Sequence, residues 1–197
     1  MATRAEPTAD RRTAILDAAL HVIGTRGLRE ATHRAVEAQA GVPHGSVTYY
    51  FGSRDGLLAA AVERMRELDE GRVAAMAQQL VMAFATSGVE TAIDSVAEGA
   101  AQMFERDPVP MQARYEMLLA GSREETIGVL MRECTRLFWE LAKPVVVAAG
   151  SDDPDRDARI AMAMIDGLYF DALTKGDHDP ALLRRGIRQA LRTFALP

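Results

Sequence analysis

The sequence predicts an all-α protein of about nine helices, with an N-terminal three-helix domain over residues 1–52 joined to a larger helical domain over residues 53–197. Three observations predict it. Ala, Leu, Met, Glu and Arg, all good helix formers, dominate the composition. Apolar residues recur at three- and four-residue spacing nearly throughout, and only "KPVVVAA" is β-branched enough to compete. Gly, Pro and Ser/Thr/Asp residues fall between these stretches, where helices need to stop and start.

The first helix runs from about Thr8 to Gly27, with Ile15, Ala18, Ala19, Val22 and Ile23 as its buried stripe and Gly27 as its C-terminal glycine. Thr32 caps a second helix, about His33 to Ala40, which Gly41 ends. Val42 and Pro43 turn the chain into a third, about His44 to Phe51. Gly52 breaks that helix and Ser53 caps a long fourth, about 53–83, carrying Leu57, Leu58, Ala61, Val62, Met65 and Leu68. After "TSGVE" a fifth spans about Glu90 to Arg106, and a sixth covers Pro110 to Ala120. Ser122 and Glu125 have capping-box spacing for a seventh, striped by Ile127, Leu130, Met131, Cys134, Leu137, Phe138 and Leu141; Pro144 should kink or end it. Asp153-Pro154 opens a helix to about Thr174, and Asp179-Pro180 opens the last, with Leu183, Ile187, Ala190, Leu191 and Phe194 on one face.

Composition narrows the function. A hydrophobic content of 48% with 26% charged residues is ordinary for a chain with a real core. No window of 18 apolar residues appears, so no membrane helix is expected. The N-terminal residues lack the apolar run of a signal peptide, and the single cysteine, Cys134, forms no internal disulfide and no metal cluster; a reduced cytoplasm is the expected compartment. The net charge is −5, unevenly spread: Met1–Asp55 holds seven Arg against six acidic residues, and the remainder 16 basic against 22 acidic. Ser-His-Asp sets, metal-ligand spacing and glycine-rich phosphate loops are missing, so no enzyme and no cofactor is expected. "GDHDP", with Asp177, His178 and Asp179, reads as a loop and helix cap rather than a metal site.

The chemistry concentrates in "GVPHGSVTYYFGSRDGLL". The second and third helices, joined by a tight turn at Gly41, have helix-turn-helix spacing. The turn needs a residue tolerant of positive φ, and Val42 can plug the gap between the helices. A helix of this kind lies in a major groove with its N-terminal residues at base edges. Gly45 and Ser46 are small enough for close backbone approach. His33, His44, Thr48, Tyr49 and Tyr50 can donate or accept at bases or phosphates, while Val47 and Phe51, four apart, anchor the helix to the core. His33 and His44 are equally readable as solvent-facing bystanders, and Arg4, Arg11 and Arg12 as phosphate contacts or a solubilising tail.

The stretch from about Arg12 to Val62 resembles the DNA-binding segment of TetR-family transcriptional regulators, through Gly27, Thr32, Ala40-Gly41-Val42, Gly45-Ser46, Tyr50-Phe51, Ser53-Arg54-Asp55 and Leu57-Leu58. The resemblance implies a homodimer on a pseudo-palindromic operator, with Thr32, Arg34, Gly45, Ser46, Tyr49, Tyr50 and Arg54 at DNA-contact positions. Three positions depart from the family pattern: Thr48 stands where many members have a tyrosine, Pro43 where a Ser or Thr cap is common, and Arg54 where lysine is frequent.

The remaining helices resemble the family only in general plan, a ligand-binding and dimerisation domain. Met103, Arg114, Tyr115, Met117, Leu118, Met131, Phe138, Trp139, Asp166, Tyr169 and Phe170 are the candidates for an apolar or amphipathic small-molecule effector; most are equally readable as core. Ala158, Ala161, Ala163 and Gly167 suit an isologous four-helix dimer contact through the last two helices. The expected function is a ligand-responsive regulator, a repressor released by its effector. The alternative is a DNA-binding regulator that answers to a protein partner.

Overall fold

Helix starts and stops fall largely where local chemistry demands them in the computed structural model, which describes residues 8–175 and 179–193, the side chains of residues 8, 9, 80, 84 and 85 excepted. The elements are α1 (Thr8–Arg26), a 3-10 turn (Leu28–Glu30), α2 (His33–Ala40), α3 (Ser46–Phe51), α4 (Arg54–Arg106), α5 (Val109–Gly121), α6 (Glu125–Ala148), α7 (Pro154–Lys175) and α8 (Pro180–Arg192). No strand occurs among the described residues. By compactness the chain forms two units: residues up to Leu68 with Val109–Glu133, and Asp69–Pro108 with the residues from Cys134 onward.

In the first unit α1 packs against both α2 and α5. Ile15, Ala19, Val22 and Ile23 are fully buried, as the helical stripe requires. Gly24 lets α1 approach α5 closely: a Cβ there would run into the Val109 backbone carbonyl. The Thr32 hydroxyl accepts from the Ala35 N–H at 3.2 Å, and Ser53 Oγ accepts from the Gly56 N–H at 3.1 Å, so both caps form. Two expectations fail here. α3 starts at Ser46, not His44, because Gly45 takes a left-handed φ of 89° that no helix continues through. Ser122 does not open α6; its hydroxyl donates to Leu119 O at 2.8 Å and finishes α5.

In the second unit α4 changes direction at Gly88 (φ 80°, ψ 178°), inside "TSGVE", which divides it into the fourth and fifth helices read from the sequence. α6 runs through Pro144 to Ala148. Pro144 is solvent-exposed, and so close to the end it removes only one backbone bond; it neither ends the helix nor costs it much. Asp153 Oδ1 accepts from Arg156 N at 3.1 Å and Asp179 Oδ1 from Ala181 N at 2.9 Å, capping α7 and α8. α7 and α8 pack together, with Gly186 beneath the Leu168 side chain. Leu183, Ile187, Ala190 and Leu191 are buried on α8; Phe194, Asp177, His178 and Arg4 lie outside the described residues. Ala158 and Ala161 are fully buried in the core rather than on an outer face, whereas Ala163 and Gly167 are exposed.

Candidate nucleic-acid interface

Gly41 ends α2 with φ 65° and ψ 30°, and its N–H and that of Val42 close onto the last carbonyls of α2. Gly45 then supplies a second left-handed residue, so the chain turns twice within five positions and delivers α3 across α2. Val47 is fully buried as the inward anchor of α3. Phe51, expected as the second anchor, is only half-buried; the Arg12 guanidinium lies 5.3 Å over its ring. Tyr49 points outward at 79% exposure and meets Tyr50 edge-on, with ring centroids 4.9 Å apart.

A buried carboxylate organises this turn. Glu37, on α2, is 3% exposed. Its Oε1 accepts from Gly45 N at 2.9 Å and Val47 N at 3.1 Å, and its Oε2 from His44 Nδ1 at 3.0 Å. Burial pushes the Glu37 carboxyl up, but the bond from His44 and those from the Val47 and Gly45 N–H groups outweigh it together and hold the group below the usual carboxylate range. The sequence reading missed Glu37. The available signal was Pro43: a helix without a local Ser, Thr or Asp cap must find its acceptor elsewhere.

A second clamp holds the base of the head. The Leu28 N–H donates to Glu116 Oε2 on α5 at 3.1 Å, and the Leu28 carbonyl accepts from the Arg54 guanidinium at 2.8 Å. The two peptides that flank Leu28, between α1 and α2, are thereby tied one to α5 and the other to the start of α4. Glu116 was also missed; it is 88 residues from its partner and nothing local marks it.

The sequence-derived candidates divide by exposure. Thr32, Arg34, His44, Thr48 and Tyr49 are exposed; His33, Gly45, Ser46, Tyr50 and Arg54 are half-buried. His33 Nδ1 and Thr48 Oγ1 lie 3.2 Å apart, joining α2 to α3, while His33 Nε2 is buried without a hydrogen-bond partner. The Ser46 hydroxyl donates to Pro43 O at 2.6 Å, and Arg54 commits one of its five N–H donors to Leu28.

Residues 15–61 match the family described as "Bacterial regulatory proteins, tetR family", and residues 87–195 match "Tetracyclin repressor-like, C-terminal domain". The chain belongs to the TetR family. The HTH-type transcriptional regulator BetI of Rhizobium meliloti is 34% identical over 162 residues, which span 81% of this chain and 76% of the relative. BetI of Agrobacterium fabrum is 30% identical over 81% of this chain and 75% of its own. The solved structure of the multidrug binding protein EbrR complexed with ethidium is 26% identical, covers 93% of this chain and 99% of its own, and superposes with a TM-score of 0.66. A TetR-family regulator from Rhodococcus sp. shares the fold at a TM-score of 0.72 and 23% identity, over 96% of this chain and 100% of its own. The protein is therefore a DNA-binding transcriptional regulator, and α2, the turn and α3 are its TetR-type reading head. No helix among the described residues is long and apolar enough to cross a membrane.

The effector candidates fall into both compact units. Arg114, Tyr115, Met117, Leu118 and Met131 belong to the first, and Met103, Phe138, Trp139, Asp166, Tyr169 and Phe170 to the second. Met117, Met131 and Arg114 are buried. Tyr169 is buried against Phe104, ring centroids 5.5 Å apart, and its hydroxyl donates to Ala100 O at 2.9 Å. Burial, and then the charge of Asp166, push its phenol well above the usual range. The face of Trp139 is covered by the Arg159 guanidinium at 4.5 Å, and Phe170 is 51% exposed.

Proposed function

We propose that the protein is a ligand-responsive repressor that binds a pseudo-palindromic operator as a homodimer. The observation that carries this reading is the head itself: a short helix held from behind by a buried carboxylate, with His44, Thr48 and Tyr49 turned to solvent. On this reading those three side chains, with Thr32, His33, Arg34, Gly45, Ser46, Tyr50 and Arg54, meet the operator, and the functional boundary is Gly52–Ser53, where the reading head passes into α4.

The dimer forms through α7 and α8. Ile160, Met164 and Phe170 on α7, with Ala163 and Gly167 between them, make an exposed apolar stripe at helical spacing, and Leu182 on α8 is exposed as well. Such a stripe suits an isologous four-helix contact. Phe170 fits this role better than an effector contact. EbrR, which has been solved with ethidium and separately with proflavin, supports a small-molecule effector here too. The remaining effector candidates, Arg114, Tyr115, Met117, Leu118 and Met131 in the first unit and Met103, Phe138, Trp139, Asp166 and Tyr169 in the second, are the positions at which substitutions test effector binding. The Leu28 clamp gives the effector a lever, because any shift of α5 or of the start of α4 pulls on the backbone at Leu28 inside the head. An effector that favours one arrangement changes operator affinity only by its differential affinity for the two.

Selection of bound DNA from a random pool tests the reading. It should return two inverted half-sites, roughly 34–36 Å or a multiple apart, bound by two chains. A single half-site bound by one chain would exclude the dimeric repressor.

A further inference from the structure

We propose that Glu37 is the positioning residue of the reading helix: from α2, its carboxylate caps α3 across the turn and sets the angle at which His44 through Tyr49 meet DNA. The inference rests on the DNA-binding reading and adds to it the group that makes the reading geometry.

α3 needs outside help. It has six residues, far below the length at which a helix holds itself in water. Its first N–H groups have no local side-chain acceptor: Gly45, at the cap position, has no side chain, Pro43 has no hydroxyl, and the Ser46 hydroxyl is turned back to Pro43 O. Glu37 Oε1 takes the N–H of Gly45 and the N–H of Val47 together, one before the helix and one in its first turn. A carboxylate bonded to two backbone donors fixes the direction of a helix start more tightly than a hydroxyl bonded to one. Gly45 completes the device. Its left-handed φ of 89° turns its N–H back toward α2, a conformation that a side chain would strain.

The other carboxylate oxygen orients a DNA-facing group. The His44 side chain is 85% exposed, and its Nδ1 must donate to the carboxylate, which cannot donate in return. The outward face of the imidazole is thus presented in one fixed orientation at the front of α3. The same carboxylate sets both backbone and side chain of the reading surface.

Electrostatics gives the proposal a diagnostic sign. Glu37 is a negative charge beneath a surface that meets phosphates, so removing the charge alone should strengthen DNA binding. A loss of binding on truncation would report lost geometry. The experiment uses the full-length protein, its operator selected from a random pool, and unrelated duplex DNA for comparison. Glu37→Gln keeps an acceptor for Gly45 and Val47 and an amide facing His44; operator affinity should equal or exceed that of the wild type. Glu37→Ala strips both N–H groups of their acceptor. It should lose about tenfold or more in operator affinity, with a far smaller change on unrelated DNA, and speed hydrogen exchange at the Gly45 and Val47 amides. If Glu37→Ala does not fold, Glu37→Asp decides, since it keeps the charge but is one methylene too short and should show the same loss. Wild-type operator affinity for Glu37→Ala or, in its place, Glu37→Asp would overturn the proposal. So would Glu37→Gln falling as far as Glu37→Ala. A wild-type protein that selects no operator would fail the DNA-binding reading itself, a distinct result.

Discussion

The reading head and the α7–α8 bundle are held by different kinds of polar contact. In the head, side chains reach backbone: Glu37 to Gly45 and Val47, Thr32 to Ala35, Ser53 to Gly56, and Glu116 and Arg54 to the two sides of Leu28. In the bundle, α7 sends one buried side chain to backbone, the Tyr169 hydroxyl on the Ala100 carbonyl, but the contacts of α8 with α4 are side chain to side chain. Arg184, Arg188 and Arg192, one turn apart on α8, pair with Glu98 and Glu105, Asp94, and Glu90 on the second half of α4. Backbone contacts fix where a main chain lies, which a helix reading base edges requires. Ion pairs between flexible side chains fix only which faces meet, and that suffices for a bundle.

The comparison is tested most severely at two glycines. A Cβ at Gly24 would strike the backbone carbonyl of Val109, which α5 cannot withdraw without moving. A Cβ at Gly186 would strike the tip of the Leu168 side chain, which can change rotamer. Each Gly→Ala gains up to about 1 kcal/mol of helix propensity. Gly24→Ala should nevertheless destabilise by about 1–3 kcal/mol net, because overpacking against backbone dominates. Gly186→Ala should lie close to neutral. Urea midpoints of the two variants measure this, and equal shifts would break the distinction.

What could be read from the sequence follows the same line. α2, α7 and α8 were legible because Thr32 with Gly41, Asp153-Pro154 and Asp179-Pro180 act on their own neighbours. The break at Gly88 was legible because only glycine takes its φ without strain. Ser122 misled because a serine in a short turn serves the helix behind it as readily as the one ahead. Pro144 misled because an exposed proline near a helix end removes little. Glu116 carried no local signal, its partner lying 88 residues away, and Glu37 carried only an indirect one, the missing cap at Pro43 across the turn. Of the candidate site, the exposed residues could be named from local sequence, and the buried carboxylate behind them could not.

A smaller effect sharpens the head's side of the comparison. The Glu37 carboxyl is held low in the folded protein: burial raises it, and His44 and the two backbone donors lower it further than burial raises it. Its contribution is present above the ordinary carboxyl value and is lost as pH falls through the depressed folded value. The stability difference between wild type and Glu37→Gln should therefore shift against the wild type as pH drops below about 5. A difference independent of pH from 7 to 3 would show that the carboxylate's charge adds nothing to its hydrogen bonds.

The smallest effect belongs to the bundle, where one ladder rung can be cut alone. Arg188 Nε lies 2.6 Å from Asp94 Oδ1, yet the two side chains remain 36% and 48% exposed, so water and salt share their charges. Arg188→Gln keeps most of the stem packed along α8 while removing the charge. It should cost less than about 1 kcal/mol at low ionic strength, and the cost should fade toward 1 M salt, where the screening length is about 3 Å. Arg192 reaches toward the same Asp94 at 4.0 Å and can take over part of the pairing, which lowers the expected cost again. Glu37→Ala, by contrast, should keep most of its stability cost at 1 M salt, because two of its three partners are backbone donors at a buried oxygen that ions do not reach, and only the exposed His44 contact is open to screening. Measuring both variants across one salt series separates fixed backbone geometry from exchangeable charge. If the Arg188→Gln cost persists at high salt, the ladder is holding main chain in place as the head does, and the contrast between the two regions fails.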